Sequence, residues 1–141
     1  MIIRKLEIND YYLGLLELLS QLTNCNVITF DNFVSQYLNM GSNYNIYVIQ
    51  VDNKIVGYGC LYKDYKFYRN CSKVGHIEDI VIHEDYRGKG YAKIIIDKLI
   101  EIAKDDCYKI LLNCDEKYVE FYNKFGLKKY GENMTLYFKN L

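Results

Sequence analysis

The spacing of apolar residues changes several times along this chain, and each change predicts an element. Met1 to Glu7 predicts an opening strand. A helix follows, capped by Asn9 or Asp10, in which Leu13, Leu15, Leu16, Leu18, Leu19 and Leu22 make a broad apolar face. A second short helix starts at Thr29 or Asp31 and runs to Met40, with Phe30, Phe33, Val34, Tyr37 and Leu38 at helical spacing and Gly41 ending it. The β-branched and aromatic run Asn45 to Val51 turns through Asp52-Asn53-Lys54 into Ile55 to Tyr62, which predicts a β-hairpin. Val74 to Ile82 predicts a further strand. The clearest helix comes after Arg87 to Gly90: Ala92, Ile95, Ile96, Leu99, Ile102 and Ala103 share a face, opposite Lys93, Asp97, Glu101 and Lys104. Tyr108 to Leu112 predicts a strand, Glu116 to Lys124 a short helix, and Met134 to Phe138 a closing strand. The order βααβββαβαβ predicts an α/β (α+β) layer fold on one mixed, mostly antiparallel sheet flanked by helices.

Composition narrows the function without choosing it. At 141 residues, with no linker or repeat, residues 1–141 are expected to form a single domain. The 18 basic and 18 acidic side chains cancel, which argues against a nucleic-acid or polybasic membrane protein, so an anionic ligand needs a local arrangement of groups. The five cysteines form no CxxC pair and no signal peptide precedes them, as expected of reduced thiols in the cytoplasm. His76 and His83 lie far from any cysteine cluster, so no metal is expected. The apolar runs are too short to span a bilayer, which needs about 20 residues.

The chemistry concentrates in Ile80 to Lys93, read as strand, glycine loop and helix. Unpaired N–H groups at a helix N-terminus, reinforced by the helix dipole, favour a phosphate. Gly88 and Gly90 let the backbone approach the anion, and Arg87, Lys89 and Lys93 add positive charge. The spacing excludes a GxxxxGK[ST] loop and lacks the third glycine of a dinucleotide fingerprint. A glycine loop that merely starts a helix is the plainer alternative. Glu78 and Asp79, just before, form an acidic pair whose side chains are expected on opposite faces of the strand. Tyr122 stands among sixteen tyrosines, and His76 is better read as structural than as a base. Cys114 has no histidine partner that would make it a nucleophile.

Arg87-Gly88-Lys89-Gly90-Tyr91-Ala92 resembles the pyrophosphate-binding signature of GNAT acetyltransferases, R/Q-x-x-G-x-G/A. More narrowly, Lys73 to Val81, Leu19 to Thr23, Lys66-Phe67, Cys107 to Ile110 and Phe121 to Gly126 resemble blocks of the glucosamine-6-phosphate N-acetyltransferases, in order along nearly the whole chain. The resemblance implies that acetyl-CoA lies in a splay between two parallel strands, one ending near Ile82 and one at Tyr108 to Asn113. Ile80, Val81 and Ile82 would pair with the pantetheine arm, Gly88 to Lys93 would hold the pyrophosphate, and Asn113 would meet the cofactor. It further implies that Thr23, Lys66, Phe67, Tyr68, Arg69, Glu78, Asp79, Tyr108 and Lys109 receive glucosamine 6-phosphate. The sugar amine would attack the thioester directly, with Glu78 and Asp79 orienting and deprotonating it and Tyr122 protonating the thiolate.

Two positions depart from the family pattern. Asn113 stands where many relatives carry a carboxylate, and Tyr137 where relatives often carry an arginine that reaches the neighbouring subunit's sugar phosphate. The resemblance also implies a homodimer and a place in UDP-N-acetylglucosamine synthesis. Two other functions stay open: the same enzyme class with a different amine or a protein N-terminus as acceptor, and a non-catalytic CoA-binding sensor. The basic stretch Lys66 to Arg69 disfavours a cationic polyamine.

Overall fold

The structure is a computed structural model that describes residues 1–25 and 27–139. Five strands form one sheet in the order β1-β2-β3-β4-β5: β1 (Ile2–Lys5), β2 (Tyr44–Val51), β3 (Lys54–Tyr65), β4 (Lys73–Ile82) and β5 (Cys107–Leu111). All neighbours are antiparallel except β4 and β5, which run parallel because α4 (Tyr91–Ala103) carries the chain back between them. The hairpin joining β2 and β3 turns at Asp52, whose φ of 53° lies in the left-handed region.

Alternation along the strands divides the core into two layers. Ile46, Val48, Tyr58 and Cys60 pack on one face under α1 (Leu15–Ser20) and α2 (Phe30–Met40). Tyr47, Ile49, Val56 and Leu61 pack on the other under Ile95 and Leu99 of α4. Thr29 caps α2 by accepting the Asn32 N–H at 3.1 Å, and Gly41 ends it, as the sequence predicts.

Two expectations need correction, and one element is new. The single helix predicted after residue 9 is broken in two: a 3-10 turn at Ile8–Tyr12, then α1. Asp10 does not start it; its buried carboxylate accepts the Glu7 N–H at 2.8 Å and a fork from Arg4 at 2.7 and 2.9 Å, and Gly14 at φ 83° breaks the turn from the helix. Between β3 and β4 the chain makes a four-residue turn, α3 (Tyr68–Cys71), in which Arg69, Asn70 and Cys71 are all left-handed, with φ of 52°, 59° and 56°. Non-glycine residues bear a cost of roughly 1–2 kcal/mol each in that conformation. Met134 to Phe138 is not a strand: a β-strand needs a partner, and this segment pairs with neither edge of the sheet. Met134, Leu136, Tyr137 and Phe138 stand 76–91% exposed.

Candidate acyl-transfer site

The site begins where β4 and β5 part. Their parallel pairing runs from Lys73 opposite Cys107 to His76 opposite Leu111 and then stops. Ile77 to Ile82 therefore presents one backbone edge without a strand on it, while its other edge stays bonded to β3. That open edge, beside Leu112 and Asn113, is suited to an extended, amide-bearing ligand that completes the ladder.

A bulge sets the chemistry of this edge. Tyr58 lies opposite Val81 and Cys60 opposite Glu78, so Asp79 and Ile80 share the space facing Gly59. Asp79 takes φ 58°, a conformation that aspartate tolerates better than most residues. The extra residue cancels the expected alternation. Both acidic side chains come to the side of Cys60: burial first, then the charges of Asp79 and Glu78, push its thiol up to about 12. Ile80 turns instead toward the α4 layer, where Ile77 and Ile82 lie. Glu78 and Asp79 are thus neighbours across one face rather than back to back. Asp79 keeps part of its surface in solvent, yet crowding around the carboxyl pushes its pKa above the ordinary range. Burial also raises the phenol of Tyr58, with Asp79 adding to it.

At the end of β4 the chain winds through a 3-10 turn, Glu84–Tyr86, into Gly88 at φ 77° and Gly90 at φ 81°. A Cβ at either glycine would meet nothing within 4 Å, so the positive φ and not crowding is what calls for glycine. Among the described residues, no carbonyl or side chain accepts from the N–H groups of residues 88 to 93, and α4 has no side-chain cap. Six successive donors at a helix start suit a diphosphate. Arg87 is aimed by its Nε, which donates to the Ile82 carbonyl at 3.0 Å, while the rest of the fork has no partner among the described residues. Lys93 pairs with Asp97, one turn along α4, so its charge is partly spent. Lys89 lies over the Tyr86 ring, 5.5 Å from its centre.

The remaining sequence candidates separate into two groups. Arg69 and Lys109 both lie over the Tyr108 ring, at 5.1 and 5.6 Å, and Tyr68 meets that ring edge-on at 6.3 Å, so four of them converge. Among the described residues neither Arg69 nor Lys109 has an acidic partner within ion-pair distance, whereas Lys66 is bonded to Asp64 at 2.7 Å. Phe67 stands 96% exposed beside them. Thr23 follows α1 in a segment tied through Gln21 to Glu84, in the 3-10 turn after β4, and Tyr137 lies on the unpaired segment and joins neither cluster. Tyr122 sits in α5 (Val119–Asn123); burial first, then Cys114 and Tyr118, raise its phenol, which therefore keeps its proton at neutral pH. Asn113 follows β5 and is exposed. His76 lies 3.5 Å from Asp64, in keeping with a structural role. Tyr58, Cys60 and Gly59 were not legible as site residues, because facing the acidic pair depends on the bulge. Their only signal is that the β3–β4 hairpin sets them opposite residues 78–81.

Comparison with known proteins fixes the family. The family model described as acetyltransferase (GNAT) matches residues 14–127. The chain belongs to the GNAT acetyltransferase family. Glucosamine 6-phosphate N-acetyltransferase 1 of Dictyostelium discoideum is 39% identical to this GNAT chain over 140 residues, covering 95% of this chain and 88% of that protein. The Arabidopsis thaliana glucosamine 6-phosphate N-acetyltransferase is 38% identical over 142 residues, covering 96% and 95%. A crystal structure of the Arabidopsis thaliana enzyme superimposes with a TM-score of 0.94 at 37% identity, covering 98% of each chain. A Trypanosoma brucei acetyltransferase gives 0.89 at 34%, covering 96% and 97%. GNAT acetyltransferases take their acetyl group from acetyl-CoA. The open β4 edge, bulge and glycine loop of this member fit the amide arm and diphosphate of that co-substrate.

Proposed function

We propose that this chain transfers the acetyl group of acetyl-CoA to the amine of glucosamine 6-phosphate, giving N-acetylglucosamine 6-phosphate and CoA. The observation that carries the reading is the pair of unpartnered groups, among the described residues, on either side of the β4 bulge: the amides after Arg87, and the Arg69 and Lys109 cations at Tyr108. A diphosphate at one and a sugar phosphate at the other would bring thioester and amine to Glu78 and Asp79.

In this reading residues 1–141 act as one domain. Ile80 to Ile82 pair with the pantetheine arm, Gly88 to Lys93 hold the diphosphate, and Asn113 meets the arm from the β5 side. Thr23, Lys66, Phe67, Tyr68 and Tyr108 surround the sugar, with the phosphate on Arg69 and Lys109, which among the described residues have no acidic partner, as Lys66 has. Glu78 holds the ammonium, and Asp79, whose pKa burial raises, takes its proton. The neutral amine attacks the thioester carbon, a C–N bond forms, the C–S bond breaks, the Tyr122 hydroxyl protonates the departing thiolate, and the surplus proton of the new amide nitrogen passes through water to restore the Tyr122 hydroxyl. Asn113 hydrogen-bonds but takes no proton, which leaves that task to the acidic pair. The transfer is direct; Cys114 forms no acyl-enzyme.

We infer a homodimer, in which the exposed apolar segment Met134 to Phe138 is covered by a second copy and Tyr137 reaches that copy's sugar. A phenol gives a weaker phosphate contact than the arginine of relatives. We place the reaction in the cytoplasm. Among the described residues no helix is long and apolar enough to cross a membrane. Mass spectrometry of the product tests the function: incubation with acetyl-CoA and glucosamine 6-phosphate should yield an acetylated sugar phosphate. An unmodified sugar overturns it.

A further inference from the structure

We infer that His83 and Gln21 are positioning residues that set the course of the phosphate loop and thereby the affinity for acetyl-CoA. The inference rests on the reading of residues 87–93 as the cofactor's diphosphate site.

His83 is the last residue before the 3-10 turn Glu84–Tyr86, and only 2% of its surface is exposed. Its ring occupies the place usually taken by a short polar cap. The Nδ1 atom accepts the Asp85 N–H at 3.2 Å, which is the N-cap bond of that turn. With Nδ1 accepting, the ring proton is assigned to Nε2, which then donates to Glu17 Oε1 of α1 at 3.1 Å; Lys54 Nζ, 3.3 Å from Nε2, finds no lone pair there and turns its protons to the carboxylate. Lys54 Nζ of β3 stands 3.5 Å from the same oxygen and holds the carboxylate in place. The backbone joins in: His83 N–H donates to the Val56 carbonyl at 2.8 Å, and the His83 carbonyl accepts the Tyr86 N–H at 2.8 Å. Tyr86 meets the ring edge-on at 5.8 Å.

A second tether lies one residue along. Gln21, just after α1, accepts the Glu84 N–H through its Oε1 at 2.9 Å. Two successive N–H groups at the start of the loop are therefore held by side chains, one buried and one reaching across from α1. Two residues later the Arg87 Nε is fixed on the Ile82 carbonyl, and Gly88 follows. Nothing else among the described residues bonds the loop from outside before α4 begins. Loss of the cap would let residues 84–87 rewind and misalign the amides at Gly88 to Lys93, while Glu78, Asp79 and Tyr122 stay where they are.

The test separates the two ring nitrogens. Asparagine at position 83 places an oxygen where Nδ1 lies and keeps the cap; glutamine places an N–H where Nε2 lies and keeps only the tie to Glu17. His83→Gln should raise the acetyl-CoA KM about five- to ten-fold. His83→Asn should stay within about two-fold of the parent protein, and both variants should hold kcat and the sugar KM within about two-fold. Gln21→Leu, which disturbs no buried group, should raise the acetyl-CoA KM about three-fold and covers the case that His83→Gln does not fold. A merely structural role reads differently, because unfolded enzyme lowers the apparent kcat and leaves KM alone. Val48→Ala, in the core away from the loop, should show that pattern. An unchanged acetyl-CoA KM in Gln21→Leu and in folded His83→Gln, or an equal rise in His83→Gln and His83→Asn, overturns the inference. Gly88→Val guards the underlying reading: if it leaves the acetyl-CoA KM unchanged, residues 87–93 are not the diphosphate site at all.

Discussion

Replacing Gly59 by alanine adds a single methyl group at the point where β3, the bulge of β4 and α4 meet. The new Cβ would lie 2.5 Å from Ile95 Cγ2, 2.7 Å from Ile80 Cδ1 and 3.4 Å from Leu99 Cδ1. Real Cβ contacts do not come so close, so α4 must lift or the bulge must move. Overpacking of this kind costs about 1–3 kcal/mol. Stiffening of the unfolded chain by alanine offsets about 0.4–1 kcal/mol. The net loss of about 1–2 kcal/mol lowers Tm by roughly 3–8 °C in a domain of this size. Because one of the crowded side chains is Ile80, on the open β4 edge, the acetyl-CoA KM should rise as well. Thermal denaturation followed by circular dichroism reads the first effect and initial rates the second. A Tm equal to or above that of the parent protein would refute the argument, since it would mean the α4 layer does not rest on Gly59.

Other perturbations test separate parts of the account. Asp79→Asn should abolish most activity, yet raise Tm at neutral pH. The folded protein raises this carboxyl's pKa, so ionised Asp79 destabilises the fold above that pKa and costs nothing below the ordinary carboxylate range. The Tm advantage should accordingly close as the pH falls through that window; an advantage that persists in acid would mean burial is not the cause. Tyr122→Phe should lower kcat about 100-fold with a near-normal acetyl-CoA KM, as loss of a general acid does; an unchanged kcat excludes that role. Arg69→Gln should raise the glucosamine 6-phosphate KM about 10- to 100-fold, the worth of a charged hydrogen bond, and leave the KM for unphosphorylated glucosamine alone. Arg4→Met strips the buried Asp10 of its fork and should cost about 3–5 kcal/mol, visible as a lower urea midpoint.

The sequence discloses most of this architecture where an element reports its own burial. Ile95, Ile96, Leu99 and Ala103 mark the buried face of α4 at helical spacing, and Arg87 to Ala92 mark the loop before it. Where the outcome depends on partners, the pattern is silent. Alternation says that Glu78 and Asp79 oppose each other; only the register of β4 on β3 shows that two residues face one there. Leu13 to Leu22 reads as one apolar helix because the break rests on φ at Gly14 and on the reach of Arg4 to Asp10. Met134 to Phe138 has strand composition, but composition supplies no hydrogen-bonding neighbour. His83 shows no local signal of its role, since Glu17 and Gln21 lie more than sixty positions earlier. The convergence of Tyr68, Arg69 and Lys109 on Tyr108 likewise follows from a left-handed turn that no sequence rule places at three non-glycine residues.

Recognition of a phosphorylated amino sugar is what sets the proposed reaction apart from other acetyl transfers. The release of CoA thiol from acetyl-CoA, followed with glucosamine 6-phosphate and with glucosamine in parallel, tests it most directly. Release should be fast with the phosphorylated sugar and at least about ten-fold slower without the phosphate, the minimum worth of one charged contact. Equal rates with both sugars, or none with either while acetyl-CoA still binds, would contradict it and point to another acceptor or to a CoA-binding sensor.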